Sequence, residues 1–254
     1  MKRTATLLVA ALLTLAAAPV THAAEVKGFV TPAIRGALET LAPKFERNSG
    51  HKLIITFVPS GGIAKRLADG ETADFVVSSR AGTEALVKDG KVVPGSEANV
   101  GKSGVGIAVR AGAPKPDIST PEALKRTLLA ARAVSYSNPA AGGASGIHFA
   151  KVLERLWIAE EMKAKTRHPP TASPTAELVV KGEAEIAVQQ FPELMAVPGV
   201  DIVGPLPGDL QNFTVFTAGV TANATNAEAA KAFIQFLKSE DAVAEIKKSG
   251  LEPG

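Results

Sequence analysis

Hydrophobic and polar positions along the chain switch between two periods, short apolar runs and then apolar residues three or four apart. Residues 26–30, 53–58 and 75–77 are runs of the first kind. They are followed at helical spacing by Ile34, Leu38, Leu41 and Phe45, then by Ile63 and Leu67, then by Leu86. Thr31 before Pro32 fits an N-cap with proline at the first helical position. Pro43 is expected to kink or end that first helix early, and Gly50 to stop what remains. Strands alternating with helices at this spacing predict right-handed βαβ units around a parallel sheet, with ligands at the carboxyl ends of the strands. Thr31, Ser60 and Ser79 all stand at such ends.

The second half repeats the scheme with interruptions. A strand is predicted over 105–109, a proline-bearing ordered excursion over 113–121, and a buried strand over 133–137. The stretch 138–149 then reads Asn-Pro-Ala-Ala-Gly-Gly-Ala-Ser-Gly-Ile-His-Phe, a glycine loop opening a helix on which Ile147, Ala150, Leu153 and Trp157 recur. Its glycines allow close backbone approach, and Ser145 with the free N–H groups of the first turn, including that of Gly146, can donate to an anion. Pro59-Ser60-Gly61-Gly62 is a second loop of the same chemistry. Further on, a helix closes at 177–182, a strand at 186–188 ends in Gln189-Gln190, Phe213–Val220 crosses back, and two helices carry Ala229, Phe233, Phe236 and Leu237, then Val243 and Ile246.

The first 24 residues stand apart. Lys2 and Arg3, the apolar run 7–18 and the small residues Ala23 and Ala24 form a secretory signal peptide with cleavage near Ala23 or Ala24, which predicts a soluble exported protein. Removing Lys2 and Arg3 leaves 26 basic against 25 acidic side chains, so no polybasic face and no nucleic-acid partner are expected. Without cysteine the chain has no disulfide, thiolate metal site or cysteine nucleophile. His51, His148 and His168 lack ligand-like spacing, the loops lack a Gly-Lys-Ser/Thr ending, and Ser145 is not in a Gly-x-Ser-x-Gly elbow, so neither metal nor cofactor is predicted.

The Thr31-Pro32 helix, the Pro59-Ser60-Gly61-Gly62 loop, the run Gly70-Glu71-Thr72-Ala73-Asp74-Phe75-Val76-Val77-Ser78, the 138–148 loop and the closing helix around Phe233 and Leu237 resemble the periplasmic molybdate-binding protein family over essentially the whole mature chain. The resemblance implies an α/β fold of the type II periplasmic-binding-protein kind, two α/β lobes joined by two crossing strands with a ligand cleft between. Lobe 1 would be discontinuous, 25–104 with 217–254, and lobe 2 would span 105–216. It also implies a monomer that offers its ligand to an ABC transporter membrane component.

In that family uncharged donors hold the oxyanion. Carried over by position, they fall at Thr31 and Pro32, at Ser60 and Gly61, at Ser145 and Gly146, and near Ala172 and Ser173, while the family's tyrosine falls at Gln190. Strand alternation sends Gln189 and Gln190 to opposite sides, so Gln190 alone is expected to face the cleft. An amide in place of a phenol alters reach and donor count, and the ligand is therefore a small anion, either an oxyanion or an organic carboxylate. Segments 112–119, 182–184 and 249–253, with Gln189-Gln190, are similar to the periplasmic aconitate isomerase offshoot of the fold. Two functions follow: a solute-binding protein, or an isomerase interconverting cis- and trans-aconitate, for which His148 and Lys65 are the titratable candidates nearest the loops.

Overall fold

The computed structural model describes residues 23–170 and 172–254, so all of the signal-peptide segment except Ala23 and Ala24 lies outside the described residues. The first half contains β1 (Glu25–Val30), α1 (Arg35–Ser49), β2 (Lys52–Phe57), α2 (Ser60–Ala68), β3 (Phe75–Ser79) and α3 (Arg80–Lys88). A long strand, β4 (Ala98–Arg110), leads into α4 (Pro121–Ala130), β5 (Val134–Tyr136), α5 (Ala144–Arg155), α6 (Ala159–Lys163) and β6 (Thr166–Arg167). The chain continues with α7 (Ala176–Val180), β7 (Ile186–Gln190), α8 (Phe191–Met195), β8 (Val200–Pro205), β9 (Phe213–Val220), α9 (Ala227–Phe236) and α10 (Glu240–Lys248).

Strand order is β2-β1-β3-β9-β4-β7-β5-β6, with β8 also on β4. The β2, β1 and β3 strands run parallel, as do β5, β6 and β7. Of these, β3, β5 and β7 are buried on both faces and read as apolar runs rather than alternations, whereas β2 and β6 are partly exposed. On β1, Val26 and Val30 enter one core with Phe75, Val77 and Phe233, while Phe29 enters another with Val58, Ile63 and Val76. The second half has its own pair of cores, one around Ile107, Leu124, Val134 and Phe149, the other around Ala108, Val179, Ala187 and Leu194.

Two antiparallel strands join the halves. Ala98 to Gly104 of β4 pair with β9, and from Val105 onward β4 pairs with β7 and β8 instead. The partner exchange at Gly104/Val105 puts the boundary between the two halves of the sheet inside one strand.

Two local expectations fail for physical reasons. Pro43 does not end α1, which continues to Ser49. Pro43 and Glu39, whose carbonyl loses its N–H partner, are both exposed, so water can satisfy that carbonyl while Leu38, Leu41 and Phe45 hold the helix to the core. On α5 the buried face is Ser145, Gly146, Phe149, Val152 and Leu153 rather than one through Ile147 and Trp157. Ile147 is on the exposed side, and Trp157 lies past the helix end at φ 57 and 87% exposed.

Candidate functional site

A cavity of about 440 Å³ lies between the two halves. The first half contributes Thr31, Pro32 and Ala33 from the turn after β1, and Pro59 from the start of α2. Ser137, Asn138, Ala144 and Ser145 reach it from the loop between β5 and α5; His168, Ala172 and Ser173 reach it from the segment after β6. Gln189, Gln190 and Glu193 border it where β7 passes into α8, and Phe216 on β9 closes the floor between the halves. No Lys or Arg side chain borders it among the described residues.

Four helix starts border the cavity with no side chain on their first N–H groups, although at α2 the Gly61 N–H is held by Gly142 O. The turn at Pro32, α2 behind Pro59, α5 behind Gly143 and α8 behind Gln190 have no side-chain cap. By contrast, Ser79 Oγ accepts from Gly82 N–H at the start of α3, which leaves that end satisfied within the protein. Uncapped starts supply donors and partial positive charge to an anion without a cation. Ala172 takes φ 65, a left-handed conformation costing a non-glycine residue about 1–3 kcal/mol, and so marks the cavity wall as locally strained.

Of the residues singled out from the sequence, Thr31, Pro32, Ser145, Ser173 and Gln190 border the cavity. Ser60, Gly61, Ser79 and Gly146 stand behind it. Ser60 Oγ accepts from Ser79 N–H at 3.0 Å, which ties the start of α2 to the end of β3. Gly61 N–H donates to Gly142 O at 3.0 Å, and a Cβ on Gly61 would lie 2.8 Å from Gly142 Cα, so only glycine permits this backbone contact between the halves. At Gly146 a Cβ would lie 2.2 Å from Ser137 O, which fixes α5 close under the loop. His148 and Lys65 are remote from the cavity wall: His148 Nε2 bonds Leu210 O at 2.7 Å, and Lys65 pairs with Asp69 at 2.5 Å on the outside of α2.

Both glutamines border the cavity, against the expectation that only one would, because the cavity wraps around the end of β7. Their partners differ. In the amide orientation that satisfies all its neighbours, Gln190 donates to Ser103 O and Gly104 O, each at 3.1 Å, and accepts from Thr214 Oγ1 at 3.0 Å. It thus ties β7 to both strands that cross between the halves. Gln189 Oε1 accepts from Thr175 N–H at 2.8 Å and Thr175 Oγ1 at 3.0 Å, which forces its amide nitrogen toward Glu193 Oε1, 2.5 Å away.

Glu193 was not legible as a site residue from periodicity, since α8 is only five residues long. The available signal was Pro192 with an acid in the first turn, directly after a strand. Glu193 shows part of its surface to the cavity but is enclosed by protein; this desolvation pushes its carboxyl up to about 8, against the opposing effects of the Gln189 hydrogen bond and the Arg35 charge. His168, whose spacing had pointed nowhere, is the other titratable group on the wall. Its Nδ1 lies 2.8 Å from Tyr136 O, and a carbonyl only accepts, so Nδ1 carries the proton and Nε2 is an acceptor in the neutral ring.

Known proteins resemble this chain to different depths. The chain is 39% identical over 253 residues to an aconitate isomerase of Pseudomonas sp, covering 97% of this chain and 94% of that protein. It is 28% identical to the molybdate-binding protein ModA of Azotobacter vinelandii, covering 90% of each. Among solved structures, the Azotobacter vinelandii periplasmic molybdate-binding protein superposes with TM-score 0.76 at 21% identity, covering 90% of this chain and 99% of that one. The sulfate-binding protein SubI of Mycobacterium tuberculosis H37Rv does so with TM-score 0.71 at 21% identity, covering 91% and 87%. These likenesses establish a periplasmic-binding-protein fold. Residues 26–252 match the model of the bacterial extracellular solute-binding proteins, and with that match spanning both halves and the cavity between them, the chain belongs to that family.

Proposed function

We propose that the protein is exported to the periplasm, where its cleft takes a small unsaturated polycarboxylate and isomerises it, as cis- and trans-aconitate are interconverted. The lobes, 25–104 with 217–254 and 105–216, close around the ligand, and fixed dipoles from both sides meet its charge once water is excluded.

The observation that carries this reading is the cavity itself. It encloses about 440 Å³, its polar residues come from both halves, Thr31 on one side and Asn138, Ser145, Ser173 and Gln189 on the other, and a carboxyl group, Glu193, stands among them. A tetrahedral oxyanion fills a small part of such a space, whereas a six-carbon acid with three separated carboxylates can reach several helix starts at once. The full-length likeness to an aconitate isomerase supports the same reading. Thr31, Ser145 and Ser173 are then direct donors, and Ser60, Gly61, Ser79 and Gly146 hold the loops that present them.

A second reading, a receptor handing a carboxylate to an ABC transporter, is favoured by the family match. Isothermal calorimetry with cis-aconitate, trans-aconitate, citrate, molybdate and sulfate tests the ligand class, and NMR of the aconitate isomer ratio separates enzyme from receptor. Binding of a polycarboxylate with turnover is expected. Tight molybdate binding with no carboxylate binding overturns the proposal.

A further inference from the structure

We infer that Glu193 is the group that moves the proton in this cleft, with Gln189 as the residue that positions it. The inference rests on the proposed isomerase reading and assigns its chemistry to a residue outside the loops that carry the anion donors.

Gln189 is locked in one orientation. Its carbonyl oxygen is occupied by two donors from Thr175, so the amide cannot turn over, and its NH₂ must point at Glu193 Oε1 and, at 3.4 Å, Ser137 Oγ. Glu193 is therefore held at one oxygen, and no donor among the described residues meets Oε2. A carboxyl fixed at one oxygen, bordering a cavity lined by neutral donors, is placed to exchange a proton with whatever the cavity holds.

The chemistry balances without a cofactor. In an unsaturated tricarboxylate the methylene between a carboxylate and the double bond carries the most acidic C–H. Ionised Glu193 takes that proton, breaking C–H and forming O–H, and the electron pair spreads over the three-carbon allyl unit and its carboxylates. Returning the proton to the former vinyl carbon breaks O–H, forms C–H and leaves the double bond shifted by one position. No electrons are gained or lost, and the same carboxyl serves as base and then as acid.

The charge environment suits the task. Arg35, at the first position of α1, is the charged neighbour acting on Glu193, and it favours the ionised form; enclosure opposes it more strongly. The balance puts the group near neutrality, where a base strong enough to remove a carbon-bound proton is still partly ionised. His168 is the other titratable group on the wall, and its acceptor Nε2 makes it the alternative base to be excluded.

The test uses the mature protein with cis-aconitate as probe, calorimetry for binding and NMR for turnover. Native protein that binds no polycarboxylate refutes the function above before any variant is made. Given binding, Glu193→Gln is expected to keep affinity within a few-fold and to lose about 10²–10⁴-fold in turnover. His168→Gln is expected to lose far less. Gln189→Leu removes a bond that favours the ionised carboxylate, so the rising limb of the pH–rate profile should move to higher pH, a displacement that loose packing alone does not produce. Native binding without turnover, Glu193→Gln turnover within tenfold of native, or a larger loss in His168→Gln than in Glu193→Gln overturns the assignment.

Discussion

The two walls of the cleft are built by the same device and differ in chemistry. Each has helix starts without side-chain caps, and each holds a glycine of the pair that brings backbone to backbone, Gly61 on one side and Gly142 on the other. Yet the first wall, Thr31 to Ala33 with Pro59, has no titratable group, while the second has both Glu193 and His168. Titratable side chains therefore border the cavity from the second half only. On the isomerase reading proposed above, the first wall holds the anion and the second wall both holds it and exchanges a proton with it.

The largest expected effect follows from the price of keeping Glu193 in that wall. Its carboxyl is raised from 4.5 to about 8 in the folded state, so the native state keeps a proton that the unfolded chain releases. Relative to Glu193→Gln, the contribution to stability is fully present below pH 4.5, falls as pH rises through the window, and levels off above 8. Each unit of separation is worth about 1.4 kcal/mol, so the loss amounts to a few kcal/mol, at roughly 2–4 °C of melting temperature per kcal/mol. Thermal unfolding of both proteins from pH 5 to 8 should show native melting falling away from the variant by several degrees. Parallel curves would return Glu193 to the ordinary carboxylate range and remove the asymmetry. Glu46 and Glu185, held low by Lys52 and Arg132, act with the opposite sign, on the acid side of this window.

Ser145 and Thr31 compare the walls as holders. Ser145 is buried at the start of α5 with its hydroxyl at the cavity, and Ser145→Ala should weaken polycarboxylate binding by about 1–3 kcal/mol if it donates to a charged group. Thr31→Val is nearly isosteric and keeps the main-chain bond from Thr31 N–H to Val77 O at 2.9 Å, so loss of its hydroxyl should cost less, about 1 kcal/mol. Calorimetry that reverses this order would place the main anchor on the first wall.

What the sequence made legible divides along physical lines. Strands β3, β5 and β7 were readable because burial on both faces writes itself as apolar runs, the two-residue edge strand β6 was not, and the crossing strand Phe213–Val220 was found with its observed limits. The loops were readable because glycine and hydroxyl residues mark helix starts. What the sequence could not show was how neighbouring ends pair. Ser60 and Ser79 look like two unconnected hydroxyls, but the start of α2 and the end of β3 meet, and Ser60 Oγ accepts from Ser79 N–H while Ser79 Oγ accepts from Gly82 N–H. Gln190 looks like a ligand contact in a resemblance by position, yet its amide is bonded to Ser103, Gly104 and Thr214 on the crossing strands. Glu193 gave no periodic signal, because a five-residue helix has no period to detect, and only Pro192 beside it marked a helix start.

The glycine contact sharpens the comparison differently, since it belongs to both walls. In Gly61→Ala the new methyl meets Gly142 Cα rather than a flexible side chain, so neither half can yield locally. Spreading the halves relieves the contact more readily than unfolding either core. Affinity should fall by about tenfold, equivalent to about 1.4 kcal/mol, with little change in melting temperature. A variant that melts well below native but binds normally would show that the contact supports one half rather than closure.

The smallest effect is expected at Lys65, on α2 behind the first wall. Its ammonium pairs with Asp69 at 2.5 Å, four residues along the same helix, and its side chain is 76% exposed. An exposed pair of this kind is worth about 0.3–0.5 kcal/mol, screened further by salt. Lys65 faces away from the cavity, so Lys65→Ala should leave polycarboxylate affinity and turnover within twofold of native and lower the melting temperature by no more than about 2 °C. Chemistry confined to the second wall requires that result. A tenfold loss of turnover in Lys65→Ala, with binding intact, would put a proton-transfer group on the first half and end the division of labour between the walls.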